Sequence, residues 1–103
     1  MAKGAMTAGD AGLIDAFLEM LSAERGARKN TLLAYRRDLE DAAAEIPRAL
    51  RDADAPDLEK YTADLARRGL AAATAARRIS ALRQFYHFLL LDRHRADDPT
   101  TRL

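Results

Sequence analysis

The chain has 103 residues, long enough for one domain with a modest core and too short for two. Hydrophobic residues make up 49% and charged residues 32%, there is no cysteine, and no apolar run approaches the roughly 20 residues that span a bilayer. These values exclude a disordered chain, a disulfide scaffold, a thiolate metal site and a transmembrane helix, and point by default to a globular cytoplasmic protein.

Residues 1–11 are small and polar and lack the apolar stretch of a signal peptide. They read as a disordered leader, with Met6 as a second candidate start and residues 12–96 as the folded domain. Ala and Leu dominate, β-branched residues are scarce, and prolines stand at 47, 56 and 99, which predicts helices separated by loops. A first helix is predicted over 12–24, with Asp10 as its N-cap, Gly26 as its stop, and Leu13, Phe17, Leu18, Met20 and Leu21 at helical spacing. A second runs from an Asn30 cap to Ile46, with Leu32, Tyr35, Leu39, Ala42 or Ala43, and Ile46 on one stripe. Pro47 ends it, and 48–55 reads as a loop with a short turn. A third helix has Pro56 in its first turn, turns Leu58, Tyr61 and Leu65 inward, and ends at Gly69. The fourth is the longest, 72–93, and Asp97, Asp98 and Pro99 mark the exit. No strand is predicted, so the fold class is all-α, a four-helix bundle.

Net charge is only +1, but its distribution is uneven. Five basic residues and no acid fall between Arg25 and Arg37, and another five with no acid between Arg67 and Arg83. If these windows fold side by side they make a basic face suited to a phosphate backbone. The plainer reading is a pair of solvated helix surfaces.

The fourth helix is the most informative. With about 100° per residue, Ala75, Ile79, Leu82, Phe85, Tyr86 and Leu89 share one side, and Arg77, Ser80, Ala81 and Gln84 share the other. Arg, Ser and Gln can donate to phosphates and base edges, and Ala81 is small enough to let a groove approach. Arg78 and Arg83 flank that stripe. On helix 2, Arg28, Lys29 and Thr31 gather at the positive end of the helix dipole, with Arg36 two turns on. Tyr35, Tyr61 and Tyr86 lie on apolar stripes and read as core. His87 and His94 have no ligand partner at metal spacing, so neither metal nor cofactor is expected. Phe88 and Leu91 either pack on helix 1 or form a patch for another domain or subunit. Asp38 can accept from a basic neighbour and is assigned no chemistry.

The segments Thr31-Leu32-Leu33-Ala34-Tyr35-Arg36-Arg37-Asp38-Leu39 and Ala76-Arg77-Arg78-Ile79-Ser80-Ala81-Leu82-Arg83-Gln84-Phe85-Tyr86 resemble the core-binding (SAM-like) domain of the bacterial tyrosine recombinases. Tyr61 to Leu65 followed by Arg68-Gly69-Leu70 fits the same pattern, and Arg95 to Thr100 resembles the interdomain linker of the XerD branch, so 97–103 reads as the start of a linker. The resemblance covers nearly the whole chain, and XerC-like, phage and integron integrases share much of it. It implies a helical arm that, with a separate catalytic domain, clamps duplex DNA at a recombination half-site. The partner is then a XerC-like recombinase in a tetramer, acting in chromosome dimer resolution, with no membrane involved. The family's catalytic Arg, Lys, His and Tyr belong to the other domain, so this stretch is expected to bind and not to cut, and none of its tyrosines is the nucleophile. Ala71 stands where family members often have a Ser cap, which predicts a start of helix 4 that is frayed or shifted toward Thr74. Two other classes compete with this reading: a helical protein-interaction module, and a stand-alone helix-turn-helix regulator. The long 47–55 connection argues against the regulator.

Overall fold

The computed structural model describes residues 8–103. It contains α1 (Ala8–Arg25), α2 (Lys29–Glu45), a 3-10 turn (Leu50–Asp52), α3 (Ala55–Arg67) and α4 (Ala72–Leu91), with no strand among the described residues. The all-helical expectation holds. The expected leader is outside the described residues over 1–7, whereas from Ala8 onward the chain is already helical.

The bundle is built around α4, which packs against each of the other three helices. Its Leu82, Phe85, Tyr86 and Leu89 are buried with Ile14, Phe17, Leu18 and Leu21 of α1, Leu39, Ala42 and Ala43 of α2, and Leu58, Tyr61 and Leu65 of α3. Phe17 meets Phe85 edge-on at 5.6 Å between ring centres, the arrangement favoured by ring quadrupoles. Surrounded on three sides, α4 needs a broad apolar face, and Ala81 belongs to it at 0% exposure. The expectation that Ala81 opens a groove-facing surface is therefore corrected: its small side chain sits in the core.

Two expected helix starts also change, and the third is kept. Asp10 is no N-cap; it lies within α1, 2% exposed, and both carboxylate oxygens accept the Leu50 backbone N–H, at 3.0 and 3.1 Å. The carboxylate thus supplies a partner for an amide that the 3-10 turn leaves buried. The cap of α2 is Arg28, in extended conformation and without a side-chain bond, while Asn30 falls inside the first turn. α4 begins at Ala72, as the 72–93 span expects, behind an uncapped Ala71 and without a shift toward Thr74. α3, by contrast, has a reciprocal capping box: Asp57 N–H donates to Asp54, and Asp54 N–H donates to Asp57.

Gly26, at φ 60°, turns the chain back so that the Ala27 amide reaches the Leu21 carbonyl at 3.1 Å, which brings α2 up beside α1. After α4 the chain stays packed. Arg95 donates to the carbonyls of Ala53 and Arg51 at 2.8 and 3.1 Å and lies over the Tyr86 ring, Thr100 is buried, and Leu103 packs on the core. Packing therefore extends beyond both ends of the 12–96 span.

Candidate DNA interface

α2 and α4 meet along a polar seam that runs in opposite chain senses, Tyr35 facing Gln84 and Asp38 facing Arg77. Gln84 Nε2 donates to Tyr35 Oη at 3.0 Å and to Ser80 Oγ at 3.1 Å, and Arg25 Nη1 approaches Gln84 Oε1 at 3.5 Å. The Arg25 cation favours the amide orientation that turns the oxygen toward it. Ser80 and Gln84, placed together from sequence, are indeed adjacent, but their polar groups are already joined to one another and to Tyr35.

Asp38 is 1% exposed, and Arg77 grips it with two bonds, Nε to Oδ2 at 2.9 Å and Nη2 to Oδ1 at 2.8 Å. That bonding raises the Arg77 pKa, outweighing the effect of burial. Arg78 does not flank the seam as expected. Its side chain is 18% exposed and turns to α2, with Nη1 2.8 Å from Asp41 Oδ2 and Nε 3.7 Å from Asp38 Oδ1. Neither Nε nor Nη1 has an aligned hydrogen-bond partner, so these are charge contacts. The expectation that Arg78 reaches outward to phosphates is corrected by this inward pairing.

The second basic window is largely neutralised by acids that lie outside it in sequence. Arg68 bonds Asp41 at 2.9 and 3.0 Å and approaches Glu45 at 3.5 Å, and Arg67 pairs with Asp64. Burial pushes the Asp41 carboxyl up, but the Tyr61 hydroxyl, Arg68 and Arg78 together hold it below the ordinary carboxylate value. For the same reasons, burial first and then Asp41, the Tyr61 hydroxyl is pushed well up. Tyr61 and Tyr86 are core residues as expected, whereas Tyr35 is half-buried with its hydroxyl on the seam.

Within the two windows, the cations left available form a smaller set. Arg28, Lys29, Arg37 and Arg83 are exposed and make no side-chain ion pair or hydrogen bond with any described residue. Thr31 is exposed beside Arg28 and Lys29 in the first turn of α2, which carries no acid. Arg36 is half-exposed and pairs with Asp15 at 2.7 Å, a surface contact of little net strength. Arg25 and Arg83 line one shallow depression with Gln84, His87 and Asp98, so the C-terminal end of α1 and the middle of α4 share a surface.

Sequence reasoning gave Asp38 a basic neighbour but no role, and it did not place Arg25 beside Gln84. Asp38 was detectable, since it follows Tyr35 by three positions and precedes Ala42 by four, on the stripe that faces the core. An acid there demands a basic partner. Phe88 packs on Phe17 at 5.8 Å, resolving its two expected placements toward α1, while Leu91 remains 69% exposed. His94 lies 2.9 Å from Asp92, and no cluster suited to a metal is found among the described residues.

Residues 14–93 match the family described as phage integrase, N-terminal SAM-like domain. The chain belongs to that family. It is 55% identical over 92 residues to the tyrosine recombinase XerD of Caulobacter vibrioides, covering 86% of this chain and 30% of that protein. The XerD of Rhizobium meliloti is 53% identical over 98 residues, covering 92% of this chain and 32% of the relative. The XerD of Agrobacterium fabrum is 47% identical over 98 residues, covering 92% and 30%. The chain thus spans about a third of the length of the curated relatives it matches. No solved structure matches it. No helix among the described residues is long and apolar enough to cross a membrane.

Proposed function

We propose that this chain is the DNA-binding arm of a XerD-like tyrosine recombinase, and that α2 and α4 engage the major groove of a recombination half-site. The observation that carries the reading is exposed, unpaired Arg83 beside Gln84 on the seam, together with exposed, unpaired Arg28 and Lys29 at the start of α2. Arg28, Lys29, Thr31, Arg36 and Arg83 would meet phosphates, and Arg77, Ser80 and Gln84 would meet base edges. The parent protein would cut and rejoin DNA strands with catalytic residues of another domain. It would act in the cytoplasm with a XerC-like partner in a tetramer, in chromosome dimer resolution.

The test is titration of the chain into a labelled duplex carrying the host's dimer-resolution site, and into a scrambled duplex, at two salt concentrations. Binding that weakens steeply with salt and prefers the real site supports a sequence-reading arm. Equal, salt-sensitive binding to both leaves a DNA-binding arm whose specificity lies elsewhere. No binding at low salt removes this reading and favours a protein-interaction module using exposed Leu91.

A further inference from the structure

Arg77 has two tasks that its geometry can serve together. A guanidinium holds five N–H donors in one rigid plane. The bonds to Asp38 use Nε and one hydrogen of Nη2, so the edge formed by Nη1 and the second Nη2 hydrogen stays open. The Arg77 side chain is 42% exposed, whereas the carboxylate that grips it is 1% exposed. Asp38 is fixed by the core, so the orientation of the fork is set from α2 and does not wander over solvent rotamers. A donor pair held this way matches the guanine O6 and N7 acceptors of the major groove, and its ordering cost is met before DNA arrives.

We propose that Asp38 is a positioning residue for base reading, its buried carboxylate holding Arg77 by one edge so that the other edge meets a guanine. This inference rests on the DNA-binding function proposed above. Lysine at position 77 can keep the ion pair with Asp38 but has no second planar edge, so it separates a structural role from a reading role.

Selection from a pool of random duplexes with the unaltered chain supplies a preferred duplex, and a scrambled version serves as control. Asp38→Asn and Arg77→Lys are each expected to lower the preferred-to-scrambled affinity ratio about fivefold or more, the discrimination of a lost bidentate contact. Replacing the read guanine by 7-deazaguanine, which lacks N7, is expected to weaken the unaltered chain and to leave Arg77→Lys unaffected. If Asp38→Asn fails to fold, Arg77→Lys and the modified duplex decide. A folded Arg77→Lys chain with an undiminished ratio overturns the proposal, as does an Asp38→Asn chain that loses affinity equally for both duplexes. Binding without preference by the unaltered chain also overturns it and leaves the DNA-binding function standing. An absence of salt-sensitive binding to any duplex removes that function and the proposal with it.

Discussion

Tyr86, buried in the middle of the core, donates its hydroxyl to the Leu50 carbonyl at 2.6 Å. Leu50 is itself 0% exposed, and its amide is taken by Asp10. Both backbone groups of one residue are thus satisfied by side chains from the two helices between which the α2–α3 connection is threaded. Burial raises the Tyr86 pKa far above the ordinary value, so the hydroxyl keeps its proton and remains a donor across the working pH range.

Tyr86→Phe keeps the ring contacts with Phe85 and leaves the Leu50 carbonyl without that donor. The carbonyl keeps its 3.2 Å bond from the Ala53 N–H, so the expected loss is about 1 kcal/mol of stability, that of one buried hydrogen bond. Urea unfolding measures it, and an unchanged midpoint would show that the Ala53 bond alone satisfies the carbonyl.

The helices themselves were legible because their apolar periods are strong, as with Leu58, Tyr61 and Leu65 on α3. Caps were less legible. A cap is a local preference, and Asp10 was drawn away from a helix start by a tertiary demand from Leu50, forty residues on. The site was legible only in part, since charge windows in sequence say nothing of what folds across from them. Asp38 and Asp41 lie just beyond the first window, and Arg68, Arg77 and Arg78 of the second window fold onto them. Of the two windows, Arg28, Lys29, Arg37 and Arg83 stay exposed and unpaired among the described residues.

Asp41 ties acid stability to the seam. Its folded pKa lies below the ordinary value of 3.8, so its contribution is fully present above that value and is lost as pH falls through the folded value. Asp41→Asn is expected to cost about 1–2 kcal/mol at neutral pH, from bonds to charged groups at a partly exposed site. The gap between the two proteins should narrow below pH 3.8. Urea unfolding at a series of pH values checks this, and a gap that stays constant into acid would exclude Asp41 as the source.

Arg93 follows the last turn of α4 at φ 59°, the only described non-glycine residue with positive φ. Its amide bonds the Leu90 carbonyl at 3.2 Å, and the next amide, His94, bonds Leu89 at 2.8 Å, closing the helix by a left-handed cap. Glycine takes that conformation without the Cβ clash. Arg93→Gly should therefore raise stability, by up to about 1 kcal/mol once the greater freedom of the unfolded glycine is subtracted. A lower thermal midpoint would mean that the Arg93 side chain contributes more than its backbone costs.

The division between holding and reading DNA yields the last prediction. Lys29 and Arg83 are exposed and have no ion pair or hydrogen bond with a described residue, so on the proposed reading Lys29→Ala or Arg83→Ala would remove a phosphate contact without disturbing the fold. Each should lower affinity for preferred and scrambled duplexes alike and flatten the log–log salt slope by roughly 0.9 per contact. Arg36→Ala should weaken both duplexes equally as well, and it also releases Asp15. Gln84→Ala is different, because its amide is joined to Tyr35 and Ser80 on the seam. It should reduce the preference for the real site while leaving the salt slope unchanged, since no charge is removed. Fluorescence titrations of both duplexes across a salt series measure slope and preference together. Equal losses from Lys29→Ala and Gln84→Ala in both quantities would mean that α4 holds the backbone only, and that sequence is read outside it.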